Sequence, residues 1–129
     1  MVFAAADVDA ATFKSRFLPA FKGMTKRTTS YVSSADEAIR LAHKAAQYPR
    51  AGEAGINILV VPGMDTIDVS PVDTSLIGHD YLATKAVFLD LFELLIHGKA
   101  PQERCGTPKC YFEALTLGEI KYWRFLKLN

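Results

Sequence analysis

Arg27-Thr28-Thr29-Ser30-Tyr31-Val32-Ser33-Ser34-Ala35-Asp36-Glu37 changes its periodicity part-way along. The first seven residues are rich in β-branched and aromatic types and read as a strand. Ser34, with Glu37 three residues later, forms a capping box, and Ala35, Ala38, Ile39, Ala42 and Ala46 then supply a helical apolar stripe. Glu37, Arg40 and Lys44 face water on that helix, which the loop signal Tyr48-Pro49-Arg50-Ala51-Gly52 ends. A strand that passes directly into a capped helix is the unit of a parallel α/β sheet.

The same unit recurs on both sides. Upstream, Val2-Phe3-Ala4-Ala5-Ala6 reads as a buried strand, Asp9 caps a helix, and Phe13, Phe17 and Phe21 recur on one side of it until Gly23. Downstream, Ile56 to Val61 and Thr66 to Val69 read as one or two strands around the Pro62-Gly63 break, and Ser70 to Asp80 as an ordered loop. Residues 81 to 97 form a helix that is apolar almost all round, with a narrow polar stripe through Asp90, Glu93 and His97, so cover is expected on more than one flank. Gly98 and Pro101 end it. Residues 105–129 are expected to be an irregular tail, closed by a short strand around Tyr122-Trp123-Arg124-Phe125. Trp123 reads as core cover rather than a ligand platform.

Composition narrows the function. A single domain of 129 residues, 50% hydrophobic and 22% charged with a formal charge of +1, fits neither a disordered chain nor a strongly basic nucleic-acid binder. No apolar run is long enough for a membrane span and no signal peptide is evident, so a cytoplasmic protein is expected. Cys105 and Cys110 are too few for a disulfide scaffold or a zinc site, and neither a cofactor nor a metal is expected.

Three loops follow the strands at the carboxyl edge of such a sheet, where ligands bind in open α/β folds. They carry Asp7 and Asp9, then Asp36, then Asp73, Ser75 and His79. A carboxylate that orients an imidazole general base is two thirds of a hydrolytic triad. Asp36 also suits the first turn of its helix, where negative charge is favourable, and Asp68 and Asp73 suit turn hydrogen bonds. His43 and His97 read as structural.

Ala4-Ala5-Ala6-Asp7-Val8-Asp9, Tyr31-Val32-Ser33-Ser34-Ala35-Asp36, Tyr48-Pro49-Arg50-Ala51-Gly52 and the run from Asp65 to Tyr81 resemble the carboxyl-terminal part of a bacterial α/β-hydrolase family, esterase- or lipase-like. The likeness covers residues 2 to about 104. It implies a partial α/β-hydrolase sheet, with helices on both faces in three αβα layers. By this resemblance the first strand is the sixth of the hydrolase sheet, Asp36 is the triad acid and His79 the triad base, with Asp7 or Asp9 as the alternative acid. Acid before histidine is the α/β-hydrolase order.

The sequence departs from that family in three places. It has no G-x-S-x-G elbow, and none of Ser15, Ser30, Ser33, Ser34, Ser70 and Ser75 is Gly-flanked in that way. Asp80 stands where the family usually has Ser, and Ala35 where it has Asn. The implied activity is therefore the acid-and-histidine half of a serine-type ester hydrolase, inactive alone, with a small ester as substrate of the complete site. A first strand that needs a neighbour on each side suggests a truncated fold, which is expected to self-associate or to take a partner chain that supplies the nucleophile. The alternative is a non-enzymatic α/β module that acts through self-association or a partner.

Overall fold

The computed structural model describes residues 1–4, 6–34, 48–72, 85–104 and 112–126. Among them a five-stranded sheet runs in the order β1-β2-β3-β5-β4. Its strands are β1 (Val2–Ala4), β2 (Thr29–Val32), β3 (Asp65–Asp68), β4 (Phe112–Leu117) and β5 (Ile120–Phe125). The pairs β1–β2, β2–β3 and β3–β5 are parallel, and β4 is antiparallel to β5 at one edge. A mostly parallel sheet with flanking helices is the α/β architecture expected from the strand–helix alternation.

The register separates the two faces. Ala4, Tyr31, Ile67 and Trp123 lie in one cross-strand row, and Phe3, Ser30 and Thr66 in the row that points the other way. On the first face Tyr31, Ile67, Phe112 and Phe125 form a core with Val87 and Leu94 of the helix α3 (Lys85–His97), and Trp123 packs against it. On the second, Phe3 packs against a core of Phe13, Ala51, Val61 and Met64.

Phe13 belongs to a helical stretch built from α1 (Ala10–Thr12), a π turn (Phe13–Phe17) and α2 (Leu18–Phe21). Asp9 caps it, accepting from the Thr12 N–H at 2.8 Å and the Thr12 hydroxyl at 2.9 Å. Pro19 has no N–H to return to the preceding turn and its ring crowds that turn, and the wider π turn just upstream makes room for it. The phenylalanine repeat is used as its spacing predicts. Phe3 meets Phe13 edge-on at 4.9 Å between ring centroids and lies 6.2 Å from Phe21, while Phe17 stacks on Phe13 from a more exposed position.

Four local expectations are corrected. Ile56 to Val61 is not a strand: Gly55–Asn57 is a single 3-10 turn, Ile56 is 94% exposed, and the segment serves the second face by burying Val61 beside Phe13. β1, expected to be buried, is only half-buried, because among the described residues it lies at the sheet edge beside β2 alone. Residues 112–117 are not irregular but form β4, joined to β5 by a two-residue turn in which Gly118 (φ +62°) takes the positive φ that primed hairpin turns require.

The cover of α3 is the fourth. Val87 and Leu94 are buried, but Phe88, Leu95 and Ile96 are each more than 60% exposed and Leu89 and Phe92 more than 40%. Asp90, read as part of a solvent stripe, is instead buried at 7% exposure. The helix ends as expected at Gly98, whose N–H reaches the Leu94 carbonyl at 2.9 Å. A four-residue turn, α4 (Pro101–Arg104), follows.

Candidate functional site

At the carboxyl edge the described residues tie the ends of three strands together. Residues 50–54 run between the exits of β1 and β2: the Gly52 N–H donates to the Ala6 carbonyl at 2.9 Å, Ala51 to Val8 at 2.8 Å, and Ser33 to Gly52 at 3.0 Å. The exits of β2 and β3 are tied by the Ser34 N–H, which donates to Ser70 Oγ at 2.9 Å. Ser70 Oγ in turn donates to Asp68 Oδ1 at 2.5 Å, and the Ser70 N–H reaches the same oxygen at 2.9 Å. Asp68 thus holds the turn after β3, the role its sequence position suggests.

Arg124 completes this knot from β5, with Nε 2.9 Å from Asp68 Oδ2. The hydrogen bond to Asp68 holds the Arg124 guanidinium above its ordinary pKa. Arg124 thereby spends its charge on the buried Asp68 carboxylate, a pairing between residues 56 positions apart that local sequence does not announce.

The sequence-derived candidates fall in two groups. Asp36, two residues beyond Ser34, and His79, nine beyond Ser70, lie outside the described residues, as do His43, Asp73, Ser75, Asp80, Cys105 and Cys110. The alternative acids are described, and both have other partners: Asp7 pairs with Arg50 from an exposed position, and Asp9 is the cap of the first helical stretch. One carboxylate at this edge escaped the sequence reading. Glu53 is buried next to Ser33, bridged to it in the parallel sense, and Glu53 Oε1 accepts from the Arg50 N–H at 3.2 Å. A short strip inserted between two strand ends buries a glutamate that composition alone places in a loop.

A second cluster lies under the opposite face, and no sequence signal paired its members. The Tyr31 hydroxyl donates to Asp90 Oδ2 at 2.5 Å, and Arg104 Nε is 2.8 Å from Asp90 Oδ1. Arg104 also donates from Nη1 to the Lys99 carbonyl at 2.9 Å. All three residues are buried. Burial pushes the Asp90 carboxyl above the ordinary carboxylate range, while Arg104 and the Tyr31 hydroxyl pull it the other way. Beside this cluster α3, α4 and the β4–β5 hairpin flank a half-open cavity of about 340 Å3 whose lining includes Asp90 and Arg104. The available signal was an acid in mid-helix within an otherwise apolar run, which is costly unless paired.

Outside the sheet edge, His97 stands in the last turn of α3 with its ring edge-on to Phe92, and Glu93 pairs with Lys99 at 2.5 Å. Among the described residues no three His, Cys, Asp or Glu side chains gather as a metal site would require, and no helix is long and apolar enough to cross a membrane. Compared with family models, curated proteins and solved structures, the chain matches none.

Proposed function

We propose that the carboxyl edge of β1, β2 and β3 is the acid-and-base half of a serine-type ester hydrolase, in a partial α/β-hydrolase fold with helices layered on both sides of the sheet. His79 is the general base that takes the nucleophile's proton, and Asp36 is the carboxylate that accepts from the other imidazole nitrogen. The nucleophile and oxyanion donors belong to a segment outside these 129 residues, since no Gly-flanked serine elbow is present. The observation that supports this reading is the Ser34-to-Ser70 hydrogen bond: it joins the exits of two adjacent parallel strands, and those exits lead to Asp36 and His79.

The test is spectroscopic and chemical. A His79 Nδ1 proton in a hydrogen bond that disappears in Asp36→Ala and persists in Asp7→Ala and Asp9→Ala is expected in the NMR spectrum of the chain. Disappearance in Asp9→Ala with persistence in Asp36→Ala would reassign the acid, and a signal indifferent to all three carboxylates would refute the dyad. The isolated chain is expected to leave a fluorophosphonate probe unreacted. Stoichiometric serine labelling abolished by His79→Ala would show a nucleophile within it.

One observation favours the second reading, an α/β module that works by association. The β1 edge has no strand beyond it among the described residues, and α3 exposes Phe88, Leu95 and Ile96. Light scattering across a dilution series, compared with Phe3→Lys, separates an association through the strand edge from a stable monomer.

A further inference from the structure

We propose that the face formed by the first helical stretch and the turn after it, residues 14–26, is a docking surface for a membrane rich in anionic lipid. The proposal does not rest on the hydrolase reading, because this turn leads into the amino end of β2, at the opposite end of that strand from the carboxyl edge.

Three observations carry it. The first is a separation of charge. Of the chain's fifteen Lys and Arg, five lie between Asp9 and Asp36, a stretch with no acid, which leaves ten cations against fourteen acids elsewhere. Arg27 is paired with Asp65 at 2.6 Å, but Lys14, Arg16, Lys22 and Lys26 are exposed, and none of the four makes an ion pair with a described residue. A chain with a formal charge of only +1 thus gathers four unpaired cations on one short segment. Such a cluster is drawn to an anionic bilayer, each Lys or Arg near the surface strengthening binding about fivefold.

The second is an apolar tip among the cations. Met24 is 73% exposed between Lys22 and Lys26, and Phe17 is 41% exposed beside Arg16. The turn has a defined geometry: Gly23 takes a positive φ of +81°, the Met24 N–H donates to the Phe21 carbonyl at 3.1 Å, and the hydroxyls of Thr25 and Thr28 are 3.3 Å apart. Arg27, held by Asp65, fixes its far end. An unbranched apolar side chain set between two lysines suits the bilayer interface, where the thioether enters the acyl boundary and the lysine stems carry their charges to the headgroups.

The third is space for a headgroup. Behind the turn lies a half-open groove of about 200 Å3, whose lining includes Lys22, Lys26 and Arg27 and, among the described residues, no acid. Pro62, Gly63 and Met64 form its other bank, at the end of a run from Ala54 that carries no charge, so nothing on that side repels a phosphate. A polyanion in solution would satisfy the cations alone, whereas the bilayer satisfies the cations and Met24 together.

The experiment floats the whole chain on a density gradient with vesicles of phosphatidylcholine alone or of phosphatidylcholine with phosphatidylserine. Binding to the anionic vesicles is expected to exceed that to the neutral ones at least about tenfold. It should fall at least tenfold when the salt rises from about 0.1 M to about 1 M, which shortens the screening length from about 10 Å to about 3 Å. Lys22→Gln/Lys26→Gln is expected to weaken it roughly 25-fold, at about fivefold per cation. Met24→Ser is expected to weaken it about fivefold, through loss of the inserted side chain. All three positions are exposed, so the melting temperature of both variants is expected to match that of the wild type. Equal binding to the two kinds of vesicle, or none to either, overturns the proposal, as does binding that either variant leaves unchanged. Duplex DNA or poly-glutamate bound as tightly as the anionic vesicles, and equally by Met24→Ser, overturns it in favour of a soluble polyanion.

Discussion

Replacing Arg104 by Met isolates the energetics of the buried cluster, because Met has a similar length and leaves little empty volume. Asp90 Oδ1 then loses the cation 2.8 Å away, and the carboxylate keeps the Tyr31 hydroxyl on Oδ2. Removing one partner of a buried ion pair costs about 3–5 kcal/mol, since the remaining charge is left desolvated. Global stabilities of domains are about 5–15 kcal/mol, so the variant should lose a large part of its margin.

The pH dependence gives a sharper test. The Asp90 pKa in the folded chain is raised above its ordinary value, and burial is the largest cause. A raised folded-state pKa means that the associated stability is fully present below the unfolded value, about 3.9, and is lost as the pH rises through the folded value. Arg104→Met removes a charge that lowers this pKa, so it raises the pKa further and widens the window over which stability falls. Denaturant unfolding should therefore show a much smaller deficit near pH 4 than at pH 7, with an unchanged m-value. The double variant Asp90→Leu/Arg104→Met should recover most of the loss at pH 7, because the unpaired charge is gone. A deficit below 1 kcal/mol at pH 7, or one of equal size at both pH values, would refute the reasoning.

Other expected outcomes follow from single contacts. Phe13→Ala should cost about 3–5 kcal/mol in chemical denaturation, because Phe13 is buried between Phe3 and Phe17 at the centre of the second-face core. Asp9→Ala should cost about 1 kcal/mol through loss of the cap on Thr12, whereas Asp7→Ala, at an exposed ion pair with Arg50, should cost less than about 1 kcal/mol. Ser70→Ala should speed hydrogen exchange at the Ser34 amide at least tenfold, since its acceptor is removed, while the amides of Ile67 and Thr66 within the sheet keep their protection.

The parts of this protein legible in its sequence are those specified by a few neighbouring residues. Asp9 before Thr12 announces a cap, Phe13 and Phe21 a helical face, Thr29 to Val32 a strand, and Gly98 a helix end, and each signal is complete within one or two turns of chain. Asp68 holding Ser70 is equally local.

Tertiary structure decided the rest, because it depends on what lies opposite. An α3 that is apolar on nearly every side carries no instruction about which side to bury. The face chosen is the one that lets Asp90 meet Tyr31 from β2 and Arg104 from the turn beyond Gly98. The apolar run from Ile56 to Val61 has strand composition, yet β3 finds its two neighbours in β2 and β5, and the run is left to fill the space beside Phe13 instead. Glu53, Arg124 and the hairpin of β4 and β5 gain their roles the same way. Their partners stand on separate strands and loops, and only burial makes those pairings worth the ordering they require.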